Sequence, residues 1–246
     1  MSNAAVQILT IAEMQGRDLA RRWLALGLLV ALPLSFYGAM APHDPHALIP
    51  GGIAMAFSLA GVAIFAVLAA RRVDERLAIA GLGAGELVAG RLLCIVAMSV
   101  PIVGGSAALM AAVSNPPRPW ALGGGVALVA LVAVPFGLAV GALVPRELEA
   151  TLILIGVVGI QLSLDPSVGL AKVLPFYGPE QLIDSSLGSS FSVWTAVVAS
   201  LAYAAALLIV ALLLIGRRIR VRRHPPPTPV LTAPAVPAEG VQRDQV

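Results

Sequence analysis

The sequence predicts an all-α membrane protein, a polytopic bundle of six transmembrane helices. Apolar residues make up 59% of the chain and charged residues only 12%, which leaves too little polar surface for a water-soluble domain of this length. Six stretches carry almost no charge, and each approaches the ~20 residues that a helix needs to cross a ~30 Å hydrocarbon layer. These stretches are residues 23–40, 51–70, 92–113, 120–144, 148–164 and 193–216. Backbone groups in hydrocarbon must bond internally, and the alternating pattern of a strand barrel is missing, so helices are favoured.

The distribution of arginine predicts the orientation of the spans. If the N-terminus is cytoplasmic, the outer segments hold only Arg118 and Lys172. The inner segments then hold Arg17, Arg21, Arg22, Arg71, Arg72, Arg76, Arg91, Arg146, Arg217, Arg218, Arg220, Arg222 and Arg223. Positive residues near span ends favour the cytoplasm, so both termini are expected there. The same residues flank spans and form no groove interleaved with aromatics, which argues against nucleic acid as a partner.

Residues 1–22 precede the first span. Val6, Ile8, Leu9, Ile11 and Met14 recur at a loosely helical spacing, which is compatible with an amphipathic helix in the cytoplasmic interface or with a frayed polar leader. A cleaved signal is a further alternative, but the apolar run that follows exceeds the usual ~7–15 residues of a signal core. We therefore expect the first span to be retained.

Two features stand out within residues 23–216. One is a set of small residues on a single predicted helix, and the other is an apolar connection before the last span. Ala133, Gly137 and Gly141 share a helix face at four-residue spacing, which predicts close approach of another helix. The outer connection, residues 165–192, is too apolar for a free loop, so short helices that dip into the outer interface are expected there. Residues 217–246 form a basic and then proline-rich tail, for which disorder is expected.

The sizeable cytoplasmic connection, residues 71–91, bears most directly on function. Its first half is expected to be helical, with charges at 74–76 and an apolar stripe formed by Val73, Leu77 and Ala80. Gly81 and the glycines after it end this helix, and Glu86 suits the first turn of the next one because its charge opposes the helix dipole. A short helix joined to two spans can transmit force from a cytoplasmic partner. A loop that merely satisfies orientation explains the pattern as well.

Three motifs resemble those of one transporter family. The connection ends in Gly-Glu-Leu-Val-Ala-Gly-Arg-Leu-Leu from Gly85, and Gly-Ala-Leu-Val-Pro-Arg-Glu-Leu-Glu-Ala-Thr runs from Gly141 to Thr151. Gly-Pro-Glu-Gln-Leu from Gly178 lies before the last span. Together with an arginine-rich approach to the first span, these motifs resemble the permease subunit of ABC-2 type exporters, over roughly residues 13–220. The resemblance implies re-entrant helices before the last span and a bacterial plasma-membrane protein.

The resemblance also implies where a partner docks. A coupling helix over residues 73–83 would contact a separate ATP-binding subunit, with the residues Val73, Asp74, Glu75, Arg76, Leu77, Ala80, Leu82 and Gly83. The family's usual Thr-Pro-type element near Ala80 is missing here. The chain also lacks a Gly-x-x-x-x-Gly-Lys-Ser/Thr phosphate loop, so it is not expected to be an enzyme or to bind a cofactor. ATP and Mg²⁺ would be held by the partner, and a second permease copy would complete the path.

The substrate path follows from the same resemblance, which places spans two and five beside it. Its candidate residues are Phe57, Ser58, Gln161 and Ser163, in an otherwise apolar lining that suggests a hydrophobic or amphipathic substrate. Two other functional classes remain open. An accessory or structural membrane subunit needs only spans and a docking loop. An ion-coupled secondary transporter would need an ionisable residue in mid-membrane, and the predicted spans carry none away from their ends.

Overall fold

A computed structural model describes residues 3–21, 23–79, 81–164 and 169–223, and these residues form helices and short connections without a strand. The helices are α1 (Asn3–Arg21), α2 (Trp23–Met40), α3 (Leu48–Ile79), α4 (Ala84–Ser114), α5 (Pro119–Leu143), α6 (Glu147–Ser163), α7 (Tyr177–Ser185) and α8 (Val193–Arg223). Short 3₁₀ turns precede α3 and α7. The all-α prediction is confirmed for this part of the chain. The predicted proline-rich tail beyond residue 223 lies outside the described residues.

Four of the described helices are long and apolar enough to cross a membrane: they supply the segments Leu48–Arg71, Ala84–Ser114, Pro119–Leu143 and Val193–Arg218. Their burial divides them into two pairs. In α3 and α5, 72% of the apolar stretch is buried within the chain, against 22% in α4 and α8. The helices α3 and α5 therefore form the centre of the bundle, and α4 and α8 turn apolar faces outward.

The contact between α3 and α5 depends on the small residues predicted to permit it. A Cβ atom built on Gly137 would lie 2.7 Å from the Cβ atom of Ala63 and would also collide with the backbone of Ala60. One turn along α5, the same construction on Gly141 reaches the Cβ atom of Val67 at 3.0 Å. The backbones approach this closely only because glycine has no side chain. The predicted helix contact is confirmed, and its partner is α3.

The charged connection between the second and third apolar stretches is a helical hairpin. Helix α3 continues without interruption past its apolar stretch to Ile79, because nothing before Gly81 breaks it. Gly81 has a φ of +100°, and the N–H of Leu82 donates to the carbonyl of Leu77 at 3.1 Å, a closure typical of helix C-termini. Helix α4 then begins at Ala84 with Glu86 in its first turn, as predicted.

The arginines of several helices meet at this end of the bundle, which we call the arginine end and define by Arg71, Arg91 and Arg218. Helix α1 packs near it, across the first half of α4. A Cβ atom on Gly90 would lie 2.8 Å from the Cβ atom of Ile11, so this contact is close. The N-terminal segment is therefore helical over Asn3–Arg21 and packs on α4, which excludes a frayed leader there. Its buried face includes Ile11 and Gln15.

The opposite end contains the connection that was predicted to hold short helices. Helix α7 confirms that prediction, and it packs against α5 and α8. Phe176 at its start contacts the ring of Phe136 edge-on, with ring centroids 6.3 Å apart. Ile183 fills the space beside Gly125, where an added Cβ would lie 3.0 Å from the Ile183 backbone nitrogen. These contacts attach α7 to the core of the bundle.

Candidate functional site

Two oppositely charged side chains join the arms of the α3–α4 hairpin. Arg91 on α4 is fully buried, with none of its surface exposed, and its Nη2 atom donates to Oδ1 of Asp74 on α3. Burial removes the charge of Arg91 from water and most of the Asp74 side chain with it, so Arg91 depends on Asp74 for compensation. The Nε and Nη1 atoms of Arg91 find no hydrogen-bond partner in the described part of the chain. The hairpin is thus joined at a site where separation of its arms would strand a buried charge.

Two further arginines bind the end of α5. Arg71 of α3 donates to the carbonyls of Gly141 at 2.8 Å and Pro145 at 2.9 Å, and also to the carbonyl of Val144. Arg218 of α8 donates to the carbonyl of Ala142 at 2.9 Å. The last carbonyls of a helix lack partners within it and carry partial negative charge, so cations bind well there. These bonds tie α3, α5 and α8 together at the arginine end.

The predicted docking residues divide between the surface and the interior of the hairpin. Val73 and Arg76 are exposed. Leu77 and Leu82 are half-buried and pack against an apolar cluster that includes Ile11, Leu87, Val88, Ala142 and Ile215. Asp74 faces Arg91, and Gly83 occupies the N-cap of α4. The side chain of Glu75 and the whole of Ala80 lie outside the described residues.

One exposed residue at the tip was missing from the predicted docking set. Ile79 is the last residue of α3 and lies beyond the apolar stretch that ends at Arg71. Its side chain is apolar, yet the residue is 79% exposed. At this position the side chain is free of the core and accessible to another protein. The sequence did contain a signal for it. Ile79 lies off the apolar stripe of Val73, Leu77 and Ala80, so helical periodicity gives it no place in the core.

The four residues proposed for the substrate path differ in exposure. Phe57 is half-buried and packs on the core, and Ser58 is buried. Gln161 is buried near the end of α6, whereas Ser163 is exposed and donates to the carbonyl of Gly159 at 2.8 Å. Phe57 and Ser58 therefore face the core of the chain, whereas Gln161 and Ser163 on α6 differ in exposure.

Gln161 has a partner that the sequence analysis did not identify. Its Nε2 atom donates to Oε2 of Glu180 on α7, and Glu180 is only 6% exposed. Burial raises the pKa of Glu180 to about 7 from its ordinary 4.5; the bond from Gln161 opposes this shift and the nearby charge of Asp184 adds to it. Glu180 lies outside the six predicted apolar stretches, so the lack of mid-span acids in the sequence does not concern it. In the sequence, the apolar residues of the connection 165–192 around Glu180 were the feature from which its burial could have been predicted.

The described residues contain no cluster of three or more His, Cys, Asp or Glu side chains that could hold a metal ion. In the connection before α3, Oδ1 of Asp44 accepts a hydrogen bond from the backbone N–H of His46 at 2.7 Å and caps the short 3₁₀ turn. A scan against protein-family models gives no match for this chain, and neither does a search of curated proteins. The transporter resemblance therefore remains a prediction that rests on the motifs.

Proposed function

We propose that the chain is the membrane-spanning permease subunit of an ABC exporter, driven by a separate ATP-binding subunit that docks on the tip of the α3–α4 hairpin. The observation that carries this proposal is that the tip belongs to a hairpin whose arms are joined by the buried Arg91–Asp74 pair. A load applied at Arg76 or Ile79 reaches both arms together, because the pair opposes their separation. The family motifs identified in the sequence supply the class of partner.

The contacts of Arg71 extend this route into the bundle. A displacement of α3 is transmitted to the last turn of α5 through the bonds to Gly141 and Pro145. Arg218 bonds the same turn and adds α8 to the moving unit. Three long helices therefore share one junction at the arginine end. A junction of this kind suits a subunit that converts binding events at its cytoplasmic surface into helix movement.

We propose that α2 and α6 also cross the membrane, which adds two spans to the four long apolar helices and makes six. Helix α2 has 18 residues and α6 has 17. At a rise of 1.5 Å per residue, each is roughly 26 Å long, close to the ~30 Å hydrocarbon layer. With these two included, the arginine end faces the cytoplasm of a bacterial plasma membrane and both termini lie on that side. The α7 segment is then a re-entrant element on the outer side.

A second permease copy is proposed to complete the path. Helix α6 presents exposed apolar side chains along its length, and they are Leu148, Leu152, Ile153, Ile155 and Ile160. Surfaces of this composition fit either lipid or another apolar helix. The path candidates Gln161 and Ser163 belong to the same helix. A largely apolar path favours a hydrophobic or amphipathic substrate.

The direct test is reconstitution with the ATP-binding subunit that co-purifies from native membranes. Replacement of Glu75, Arg76 and Leu77 together is expected to lower substrate-stimulated ATP turnover without loss of membrane insertion. Because Leu77 packs inward, the sharper variant is Arg76→Glu combined with Ile79→Ser, which spares the interior. Unchanged ATP turnover and transport in that variant would exclude the hairpin tip as the coupling point. Stable assembly of an ATPase without any transported compound would favour an accessory subunit.

An ion-coupled transporter is the second candidate, and the buried Glu180–Gln161 pair is the observation that favours it. Buried carboxyls with a pKa near neutrality are suited to bind and release protons. Vesicles that contain the chain alone separate the two functions. Solute accumulation driven by an imposed pH gradient, abolished by Glu180→Gln and indifferent to ATP, would support this candidate and exclude the exporter.

A further inference from the structure

A groove of about 720 Å³ lies between α1 and the last turns of the apolar stretch of α3. The α3 side of the groove is apolar and includes Phe65, Ala66 and Ala69. The α1 side is polar and includes Gln15, Arg17 and Arg21. The apolar stretch of α3 ends at Arg71, so the groove straddles the level at which a span leaves hydrocarbon. Its two walls therefore have the chemistry of the two parts of a phospholipid.

The α1 wall holds Arg17 and Arg21 together with Glu13, so it carries a net positive charge that favours an anionic group. Arg17 and Arg21 are both exposed and lie one turn apart on α1, and Arg17 forms an ion pair with Glu13 on its own helix, at 2.6 Å. Arginine suits phosphate because its planar guanidinium presents two donors to two phosphate oxygens. The apolar side chains of Phe65 and Ala69 on the other wall suit an acyl chain of the same lipid.

Gln15 adds a second and independent feature of the groove, a buried oxygen atom that lacks a hydrogen-bond donor. It lines the groove, it is only 7% exposed, and its Oε1 atom has no hydrogen-bond partner in the described part of the chain. A buried amide oxygen without a donor is costly, so a ligand that supplies one is favoured. A glycerol headgroup carries hydroxyl donors beside its phosphate, whereas a choline headgroup carries none.

We propose that the groove is a binding site for an anionic phospholipid with a hydroxyl-bearing headgroup, represented by phosphatidylglycerol. The phosphate binds Arg17 and Arg21, a headgroup hydroxyl donates to Gln15, and an acyl chain lies along Phe65 and Ala69. The bound lipid joins α1 to α3 at the base of the hairpin. This inference requires membrane insertion but does not depend on the exporter proposal.

The first test compares two arginines in similar settings. Arg17 and Arg146 have side chains that are 78% and 80% exposed, and each forms an ion pair with a glutamate three or four residues away on the same helix. Only Arg17 lines the groove. The full chain in nonionic detergent is titrated with phosphatidylglycerol and the retained lipid is counted by native mass spectrometry. Arg17→Gln is expected to weaken binding roughly fivefold, the scale of one interfacial cation, and Arg146→Gln is expected to change nothing.

The second test fills the groove and leaves every charge in place. Ala69 and Ala97 are both exposed alanines of apolar helices, and Ala69 alone lines the groove. Ala69→Phe is expected to remove the retained phosphatidylglycerol, whereas Ala97→Phe is expected to retain it. Wild-type affinity in both Arg17→Gln and Ala69→Phe would overturn the proposal. Since these variants change different walls, misfolding of one leaves the other as a test.

Alternative occupants give different results in the same titration. Equal retention of phosphatidylcholine would show a non-specific lipid contact and overturn the site. Competition by soluble glycerol phosphate at full potency would assign the site to a free phosphate compound, which also overturns it. A change of oligomeric mass in Ala69→Phe, without loss of lipid, would identify the groove as a contact between copies of this chain.

Discussion

Arg91 of α4 is fully buried, and its guanidinium donates to the carboxylate of Asp74 on α3. The two residues lie on opposite arms of one hairpin and join the part of α3 that leaves the bundle to the start of α4. A buried pair of this kind is a weak source of net stability, because desolvation offsets much of the attraction. Its effect is instead to fix the position of α3 relative to α4. Each arm is held at one register, since any other leaves a charge without compensation.

Loss of one partner is therefore expected to be more damaging than loss of both. Asp74→Ala leaves Arg91 charged and buried, and it should lower the free energy of unfolding by about 3–5 kcal/mol. The double variant Asp74→Leu with Arg91→Leu should recover much of this loss. Thermal denaturation in detergent, followed by size-exclusion of the remaining monodisperse protein, measures both. The exposed Arg146–Glu149 pair is the control, and Glu149→Gln should cost no more than about 1 kcal/mol.

A double variant no more stable than Asp74→Ala would contradict this account of the pair. The destabilisation would then come from lost packing around residue 74, because restored charge balance would have brought no gain.

The α3–α5 contact gives a prediction about packing. Gly137→Ala places a methyl group against Ala63 and the Ala60 backbone, so the two central helices must separate, at a cost of about 1–3 kcal/mol. Gly156 on α6 has no atom within 4 Å of the corresponding position, which makes it the matched control. Gly156→Ala should be neutral or stabilising by up to about 1 kcal/mol, because alanine is the better helix former. The midpoints of thermal unfolding distinguish these outcomes.

Equal effects of the two alanine variants would show that α3 and α5 can adjust freely. The closeness of the helices would then play no part in stability.

Much of the helix pattern was predictable from the apolar stretches, because hydrophobic runs report burial in lipid or core directly. The stretches 23–40 and 120–144 agree with α2 and with α5 to within one residue at each end. The apolar stretches alone did not give the limits of α3 and α4; the prediction for residues 71–91 gave them, with Gly81 ending one helix and Glu86 in the first turn of the next. Charges do not end a helix, so α3 continues to Ile79, and α4 begins at Ala84, eight residues before its predicted apolar stretch at residue 92.

The candidate site was predictable in position but only partly in detail. Periodicity shows which face of a helix a residue occupies, but not which side chain on another helix it meets. Asp74 was therefore assigned to docking, although the structure turns it towards Arg91. The burial of Glu180 could not be predicted from the sequence for the same reason. Its burial depends on packing of α7 against distant helices, and only the tertiary structure reveals Gln161 as its partner.

Glu180 predicts a pH dependence whose sign follows from its raised pKa. The folded chain holds the proton up to pH about 7, whereas an unfolded chain releases it near pH 4.5. Stability from the protonated carboxyl is thus fully present below pH 4.5 and is lost as the pH rises through about 7. The loss amounts to at most about 3 kcal/mol. Glu180→Gln, which resembles the protonated form, should flatten this dependence and unfold at higher temperature than the wild type at pH 8.

The control for Glu180 is Glu149→Gln, which removes an acid that is partly exposed at the arginine end. Its unfolding midpoint should follow the wild type from pH 5 to pH 8. A Glu180→Gln variant that retains the full pH dependence would assign the dependence to other groups.

The exposed Ile79 provides the sharpest test of docking, because the chain offers a matched residue at the same end. Ile79 is 79% exposed at the tip of the hairpin, and Leu148 is 72% exposed in the first turn of α6. Neither substitution by serine opens a cavity, so both variants should fold and insert normally. A buried apolar anchor at an interface contributes about 1–2 kcal/mol or more, which predicts that Ile79→Ser weakens retention of the proposed ATP-binding subunit roughly tenfold. Leu148→Ser should retain it at the wild-type level, and pull-down at increasing salt with ATP turnover of the retained complex measures both. Equal retention by the two variants would place the docking surface elsewhere, whereas equal loss would indicate a broad contact across the arginine end without a specific role for the hairpin tip.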